Sequence, residues 1–400
     1  PEEVVVTTLD YWGLWEPSDT LSRVLREFEA SNPGISVNYS KQSIDGYRER
    51  LQTAIATANG PDLFRYHASW QGYLNENLAT LPSSVMSATQ FATSFYPVAA
   101  EQLTDTEGNI KGIPLMYDSL ALLYNKDMYT EAGLEVPKTW TQFSQNARKL
   151  TKYEKNGYIA VSGAAFGLAD NVDFASDIIG MLAVQSGADL SQPSSAIIAD
   201  VLTFYTNFYN SESQRVWDTT FDNSTMAFAR GETAMIFAPS WLIHDILAIN
   251  PNLNIGVASV PQLNTDNPVE WATYWTEGVN NNSPRKEAAW KLLEYLSSES
   301  VLTQLYKEQA SARLFGEIYP RPAMADLLAS NTYLQPYLLN ARNAVGYPLN
   351  DKTFDEALDD ANKAITVSVI NELTTGKKRS TAAELAVDLV EQWQENAILF

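Results

Sequence analysis

Along the first part of the chain, apolar positions switch between a strand-like and a helix-like spacing. Val4, Val5 and Val6 open an apolar run that ends at Tyr11 to Trp15, and Ser18 then starts a stretch with Leu21, Leu25 and Phe28 on one helical face, stopped by Pro33-Gly34. Ile35, Val37 and Tyr39 alternate as a second strand. Tyr47, Leu51, Ile55 and Ala58 share a face of a second helix ending at Asn59-Gly60-Pro61, and Asp62 to His67 reads as a third strand. Repeated strand-helix-strand units predict a parallel sheet with helices on both faces, and sheets of this kind bind ligands beyond the carboxyl ends of their strands. The loops at 11 to 17 and 66 to 71 are therefore candidate ligand loops, and both are aromatic: Tyr11, Trp12 and Trp15 in one, Tyr66, His67 and Trp70 in the other.

A second unit starts with GIPLMYDSLALLYNKDMYTEAGLEVPKTW, residues 112 to 140. Leu120 to Tyr124 is nearly continuous apolar sequence, the pattern of a strand covered on both faces. Asp118 sits at its start, and a lone buried carboxylate is costly, so it needs a wet cleft or a partner. Thr139 and Gln142 have the spacing of a capping box, followed by Phe143, Ala147 and Leu150 on one helical face. Further on, Phe221 to Arg230 reads as a helix closed by Gly231, Ala234 to Ala238 as a strand, and Ser240 as the cap of the next helix, placing Trp241 at a strand-to-helix junction. Ser283 with Pro284 reads as a helix start carrying Ala289, Leu292, Leu293 and Leu296 on one face, and Thr381 with Glu384 as another capping box before Leu385, Leu389 and Trp393.

Composition narrows the classes. A chain of 400 residues exceeds what one core usually serves, so two lobes are expected. With 27 basic against 48 acidic side chains the net charge is -21, which argues against nucleic acid or an anionic membrane as partner. There is no cysteine, so disulfides, thiolate metal sites and a cysteine nucleophile are excluded. His67 and His244 have no ligand-spaced partner, and neither a metal nor a cofactor is expected. Starting at Pro1 with no apolar leader and no membrane-crossing run, the chain reads as a processed domain.

What remains prominent is aromatic residues in predicted loops: Trp12, Trp15, Tyr66, Trp70, Tyr117, Trp217, Trp241, Trp271, Tyr274 and Trp275. Rings in such loops can stack on the apolar face of a ligand, and polar neighbours can answer its rim. Trp140, Trp290 and Trp393 lie on predicted helices and are assigned to the core instead. Arg313 and Arg321 could fork onto hydroxyls or form surface ion pairs.

The order of blocks carries a resemblance. Gly-Ile-Pro, an acidic residue, Leu-x-Tyr-Asn-Lys-Asp, Ala-Gly-Leu and Pro-x-Thr-Trp, together with LDYWGLW (9 to 15), FEASNPGISVNY (28 to 39), NGPDLF (59 to 64), FARGETAMIFAPSW (228 to 241), GVASVPQL (256 to 263) and GVNNNSPRKEAAWKLLEYL (278 to 296), resemble the extracellular solute-binding proteins of sugar ABC importers. The resemblance implies an α/β, two-lobed Venus-flytrap architecture of the periplasmic-binding-protein type, with three interlobe crossings near 114 to 118, 270 to 276 and 318 to 324. The lobes would comprise 1 to 116 with 275 to 319, and 117 to 274 with 320 to 400. It further implies an exported monomer, lipid-anchored in its precursor, that passes a sugar to a membrane permease.

On that reading the ligand residues are Trp12, Trp15, Asp45, Tyr66, His67, Trp70, Tyr117, Asp118, Trp217, Trp241, Tyr274, Trp275, Glu277 and Arg313, with Trp241, Tyr66, Trp70 and Asp118 matching family positions. Ala68, Ser69 and Trp70 stand where a maltose-binding member of the family carries charged residues, so that member's ligand does not carry over, and the block from Trp271 to Glu277 is bulkier than usual, which implies a narrower or flatter site. Two alternatives stay open: a glycoside hydrolase using Asp118 with Glu277 or Asp45 as acid and base, and a binding protein for a non-sugar solute.

Overall fold

A computed structural model describes residues 6–213, 215–346, 350, 352–355, 366–375 and 380–397. Val4 and Val5 of the expected opening strand lie outside these residues. The first sheet has four strands in the spatial order Trp275–Val279, Leu63–His67, Thr7–Gly13, Ile35–Lys41. Thr7–Gly13 runs parallel to both of its neighbours, with Tyr11 opposite Tyr39 on one side and Leu63 on the other. The chain therefore leaves the first strand to one side and returns on the other, making a topological switch at the carboxyl ends around Trp15 and His67. The fourth strand arrives from far along the sequence and is antiparallel, pairing Trp275 with His67 and Glu277 with Arg65.

Local chemistry explains the helices that cover this sheet. Ser18–Ser31 buries Leu21, Val24, Leu25 and Phe28, one stripe of an amphipathic helix. Its expected cap, Ser18, is already inside the first turn and makes no capping bond. Ser283 also departs from the expected cap role: its hydroxyl donates to the buried Asp62 at 2.5 Å and accepts from the Arg285 N–H, and the helix begins at Lys286. Asp62 thus ties three segments, since it also accepts from the Asp10 N–H at 2.8 Å and from Arg285 Nε at 2.9 Å.

The second sheet is built from Met235–Ala238, Ala121–Asn125 and Ile255–Ala258, and every pairing in it is antiparallel. Its central strand is the apolar run of the sequence, with Leu122 opposite Phe237 and Ala258. The Thr139–Gln142 capping box forms as expected at the start of Trp140–Leu150. That helix drives Trp140 and Phe143 into a cluster with Phe166, Phe204 and Phe237. Trp140, Trp290 and Trp393 are all buried. Thr381 and Glu384 exchange the reciprocal bonds of a capping box before Ala382–Ala397. No described helix is long and apolar enough to cross a membrane.

Segment 113–119 leads from the first sheet's surroundings into the second sheet, bridging Ile113 to Glu277, Tyr117 to Ile318 and Ser119 to Ala272 on the way. Beside it, Glu270 is fully buried and accepts only one hydrogen bond among the described residues, from Asn340 Nδ2 at 3.0 Å. Burial, barely offset by that bond, raises its pKa to about 8, so the folded protein keeps it protonated at neutral pH. A raised folded pKa means stability that is present below the ordinary carboxylate range and is lost as pH climbs towards 8. Glu270→Gln is expected to remove this loss. In urea unfolding series the wild type should weaken relative to the variant between pH 5 and 8, by a few kcal/mol at most, with the gap levelling off above pH 9. Parallel curves across that range would refute the assignment.

Candidate functional site

Residues at the strand ends of both sheets converge on one cavity of about 370 Å³, lined by Trp15, Met116, Trp241, His244, Asp245, Trp275, Arg313, Glu317 and Phe354. Trp15 follows the first strand of the first sheet, Trp275 opens the antiparallel strand, and Trp241 follows Met235–Ala238 of the second sheet. The rings meet steeply. Trp15 and Trp275 are edge to face at 5.7 Å, and Phe354 tilts against both Trp15 (5.5 Å) and Trp241 (5.6 Å). Trp275 is braced from behind by Trp70 at 5.1 Å and His67 at 5.2 Å.

The polar part of the lining is unevenly satisfied. Arg313 Nη2 pairs with Glu317 at 2.5 Å, while Arg313 Nε has no partner among the described residues. Burial and the Arg313 charge push the His244 pKa down to about 4, so its imidazole is neutral at physiological pH. Burial raises the Asp245 carboxyl above its ordinary value. A cavity with aromatic walls, an arginine fork, two carboxylates and a neutral imidazole offers donors and acceptors around stacking faces.

Beneath the cavity lies a buried charge cluster. Arg65 Nη1 meets Glu16 Oε2 at 2.7 Å, and Arg65 Nε meets Glu277 Oε1 at 2.6 Å, with all three side chains nearly inaccessible to water. Burial works against the Glu16 charge, but Arg65 outweighs it and holds that carboxyl below its ordinary value. At Glu277 burial prevails over Arg65 and the carboxyl is raised. Gln309 extends the network: its Nε2 donates to Glu16 Oε1 at 3.3 Å, and its Oε1 accepts the Glu317 N–H at 2.8 Å. The cluster therefore reaches the cavity wall at both Trp15, next to Glu16, and Glu317.

Of the residues expected at the site, Trp15, Trp241, Trp275 and Arg313 line the cavity, and His67, Trp70 and Glu277 stand behind it. Others are elsewhere. Asp118 accepts from the Ser240 N–H and hydroxyl and from the Ser119 N–H, so the partner it needs is the strand-to-helix turn, and the Ser240 hydroxyl that was to cap a helix is used here. Burial, opposed by those bonds, raises the Asp118 pKa to about 7. Tyr117 packs its ring against Tyr96 and Tyr274. Met116, the residue before Tyr117, is the member of this segment that lines the cavity. Tyr66 is buried under Gly112. Trp217 is buried and stacked on Phe221 at 4.5 Å, its indole N–H bonded to Asn171. Trp12 is half-buried against the hydrophobic core, and Asp45 is exposed on a loop.

Met116, His244, Asp245, Glu317 and Phe354 are the lining residues that the sequence reading passed over. His244 and Asp245 sit three and four positions after Trp241 at the start of a helix, the spacings at which helical neighbours share a face, whereas Glu317 follows Arg313 in a non-helical segment after the helix that ends at Ala312. Phe354 carries no such signal. A second cavity of about 200 Å³, lined by Trp140, Leu182, Gln185, Phe204 and Leu263 among others, is mostly apolar and lies away from the strand ends.

Residues 15–303 match the family model of the bacterial extracellular solute-binding proteins. The chain belongs to that family. Among similar proteins, a mannitol-binding protein of Pseudomonas aeruginosa is 25% identical over 300 residues, covering 70% of this chain and 66% of that protein. A putative binding protein of Brucella abortus is 24% identical over 305 residues, 74% of this chain and 72% of its own length. The solved structure of the sugar-binding protein MalE from Xanthomonas citri superposes with a TM-score of 0.75 at 21% identity, covering 98% of this chain and 99% of that one. The two sheets are thus those of the two-lobed α/β architecture of this solute-binding family.

Removing one member of the buried charge cluster leaves its partners uncompensated. Arg65→Met is expected to destabilise this solute-binding protein by about 3–5 kcal/mol in chemical denaturation at pH 7. A loss under 1 kcal/mol would show that the cluster does not hold the cavity floor.

Proposed function

We propose that this chain binds a small sugar or polyol in the 370 Å³ cavity, closes around it and hands it to the permease of an ABC importer. The observation that carries the reading is the convergence of Trp15, Trp275 and Trp241, from the strand ends of two different sheets, on a cavity that also holds Arg313, Asp245 and Glu317. Rings offer stacking faces for C-H groups, and the charged groups answer hydroxyls. The mannitol-binding relative and the sugar-binding structural neighbour support the same ligand class.

The lobes in this reading are 1 to 116 with 275 to 319 and 117 to 274 with 320 to 400, each centred on one of the sheets. The bridges of 113–119 to Ala272, Glu277 and Ile318 support three crossings as the hinge about which the lobes rotate. The protein would work as an exported monomer, lipid-anchored in its precursor, with no catalytic step. The carboxylates named for a hydrolase do not line the cavity: Asp118 is engaged by Ser240, Glu277 by Arg65, and Asp45 is on an exposed loop.

A thermal-shift screen of mono- and oligosaccharides, mannitol and other polyols tests the reading, because a ligand at 100 times its dissociation constant adds about 2.7 kcal/mol of stability. Trp241→Ala should weaken the tightest hit about tenfold, the scale of one lost aromatic contact, without changing the melting temperature of the free protein by more than a few degrees. A panel without hits, or an affinity indifferent to Trp241, would refute it.

A further inference from the structure

Phe354 is placed against the ordinary preferences of its residue type. Its backbone lies in the left-handed region, φ +60°, where a bulky side chain is a genuine outlier, and such outliers persist only where the surroundings enforce them. Its neighbours Thr353 and Asp355 are buried, yet Phe354, a lining residue of the cavity, is 36% exposed, and apolar surface facing water is unfavourable. The surroundings that enforce this are visible. Lys352 Nζ pairs with Asp173 at 2.9 Å, beside the second sheet's helices, and Asp355 pairs with Arg48 on the helix Tyr47–Ala56 of the first unit. Between these ties the ring spans from Trp15 to Trp241, one tryptophan from each sheet.

We infer that Phe354 is a specificity-determining wall that ends the cavity and restricts its ligand to one or two sugar rings. The inference rests on the sugar reading and deepens it. A cavity of about 370 Å³ is near the bottom of the 300–1,000 Å³ range of ligand pockets, and the Phe354 ring closes the span of its lining between Trp15 and Trp241. A bound sugar would cover the exposed ring face, which gives the unfavourable backbone and the exposed ring a common purpose.

Calorimetry with gluco-, cello- and manno-oligosaccharide ladders of one to four rings tests this on the wild type, Phe354→Ala and Phe354→Trp. In the series that binds, wild-type affinity should peak at one or two rings and fall at least about tenfold by four rings. Phe354→Ala should weaken the best ligand about tenfold and shrink the fall from that ligand to four rings below threefold, while Phe354→Trp restores the fall. Wild-type binding of four rings as tightly as two overturns the inference and leaves the sugar reading intact, and that result does not depend on how the variants fold. A Phe354→Ala profile parallel to the wild type also overturns it. Binding of mannitol or another polyol with no ladder member overturns the inference and keeps the polyol part of the reading, and binding of none of these ligands overturns both.

Discussion

Arg65 lies between two carboxylates where water does not reach, and the geometry around the cavity depends on how that charge is shared. The guanidinium fork takes Glu16 on one side and Glu277 on the other, so the loop after the first strand, the third strand and the antiparallel strand are fixed to one another at the same end of the sheet. Two acids against one base leave the cluster short of positive charge. Tyr11 O–H to Glu277 and Gln309 Nε2 to Glu16 supply further donors. A buried cluster of this kind adds little net stability compared with an apolar core, but removing one partner is costly, so its main effect is to admit one arrangement only.

That constraint propagates upward. Glu16 is bonded, so Trp15 is held beside Trp275, and Glu277 is bonded, so Trp275 cannot slide along His67 and Trp70. Gln309 passes the same order to Glu317 and through it to Arg313. On the opposite side Asp118 plays a comparable part for the second sheet, fixing the Ser240 turn that carries Trp241 and leads into the helix holding His244 and Asp245. The cavity is built by buried carboxylates that never face it.

Much of the first sheet was legible because its parallel strands alternate with helices whose apolar stripes and Pro/Gly stops are local signals, although the expected caps Ser18 and Ser283 do not cap. The second sheet was harder: its three antiparallel strands come from distant parts of the chain and are short, and their apolar runs do not announce which partners they take. For the site, the strand-end rule located Trp15 and Trp241, and helix periodicity set Trp140, Trp290 and Trp393 aside. A loop position was a poor guide to exposure, as Trp217 shows by stacking inside the second unit. Carboxylates misled for a related reason, since sequence does not say whether Asp118 or Glu277 spends its oxygens on protein donors or on a ligand. Phe354 was out of reach, because its neighbours are tied by ion pairs to residues far away in sequence, Arg48 and Asp173.

The central claim is that ligand occupies the cavity between Trp15, Trp241 and Trp275 and nowhere else. Fluorine NMR of protein carrying 5-fluorotryptophan resolves it directly, with each of the 10 tryptophans assigned by single substitution. Titration with the tightest-binding sugar or polyol should move the resonances of Trp15, Trp241 and Trp275 and leave those of Trp140, Trp217, Trp290 and Trp393 in place. Movement of Trp140 or Trp217 with Trp15, Trp241 and Trp275 unchanged would contradict the account.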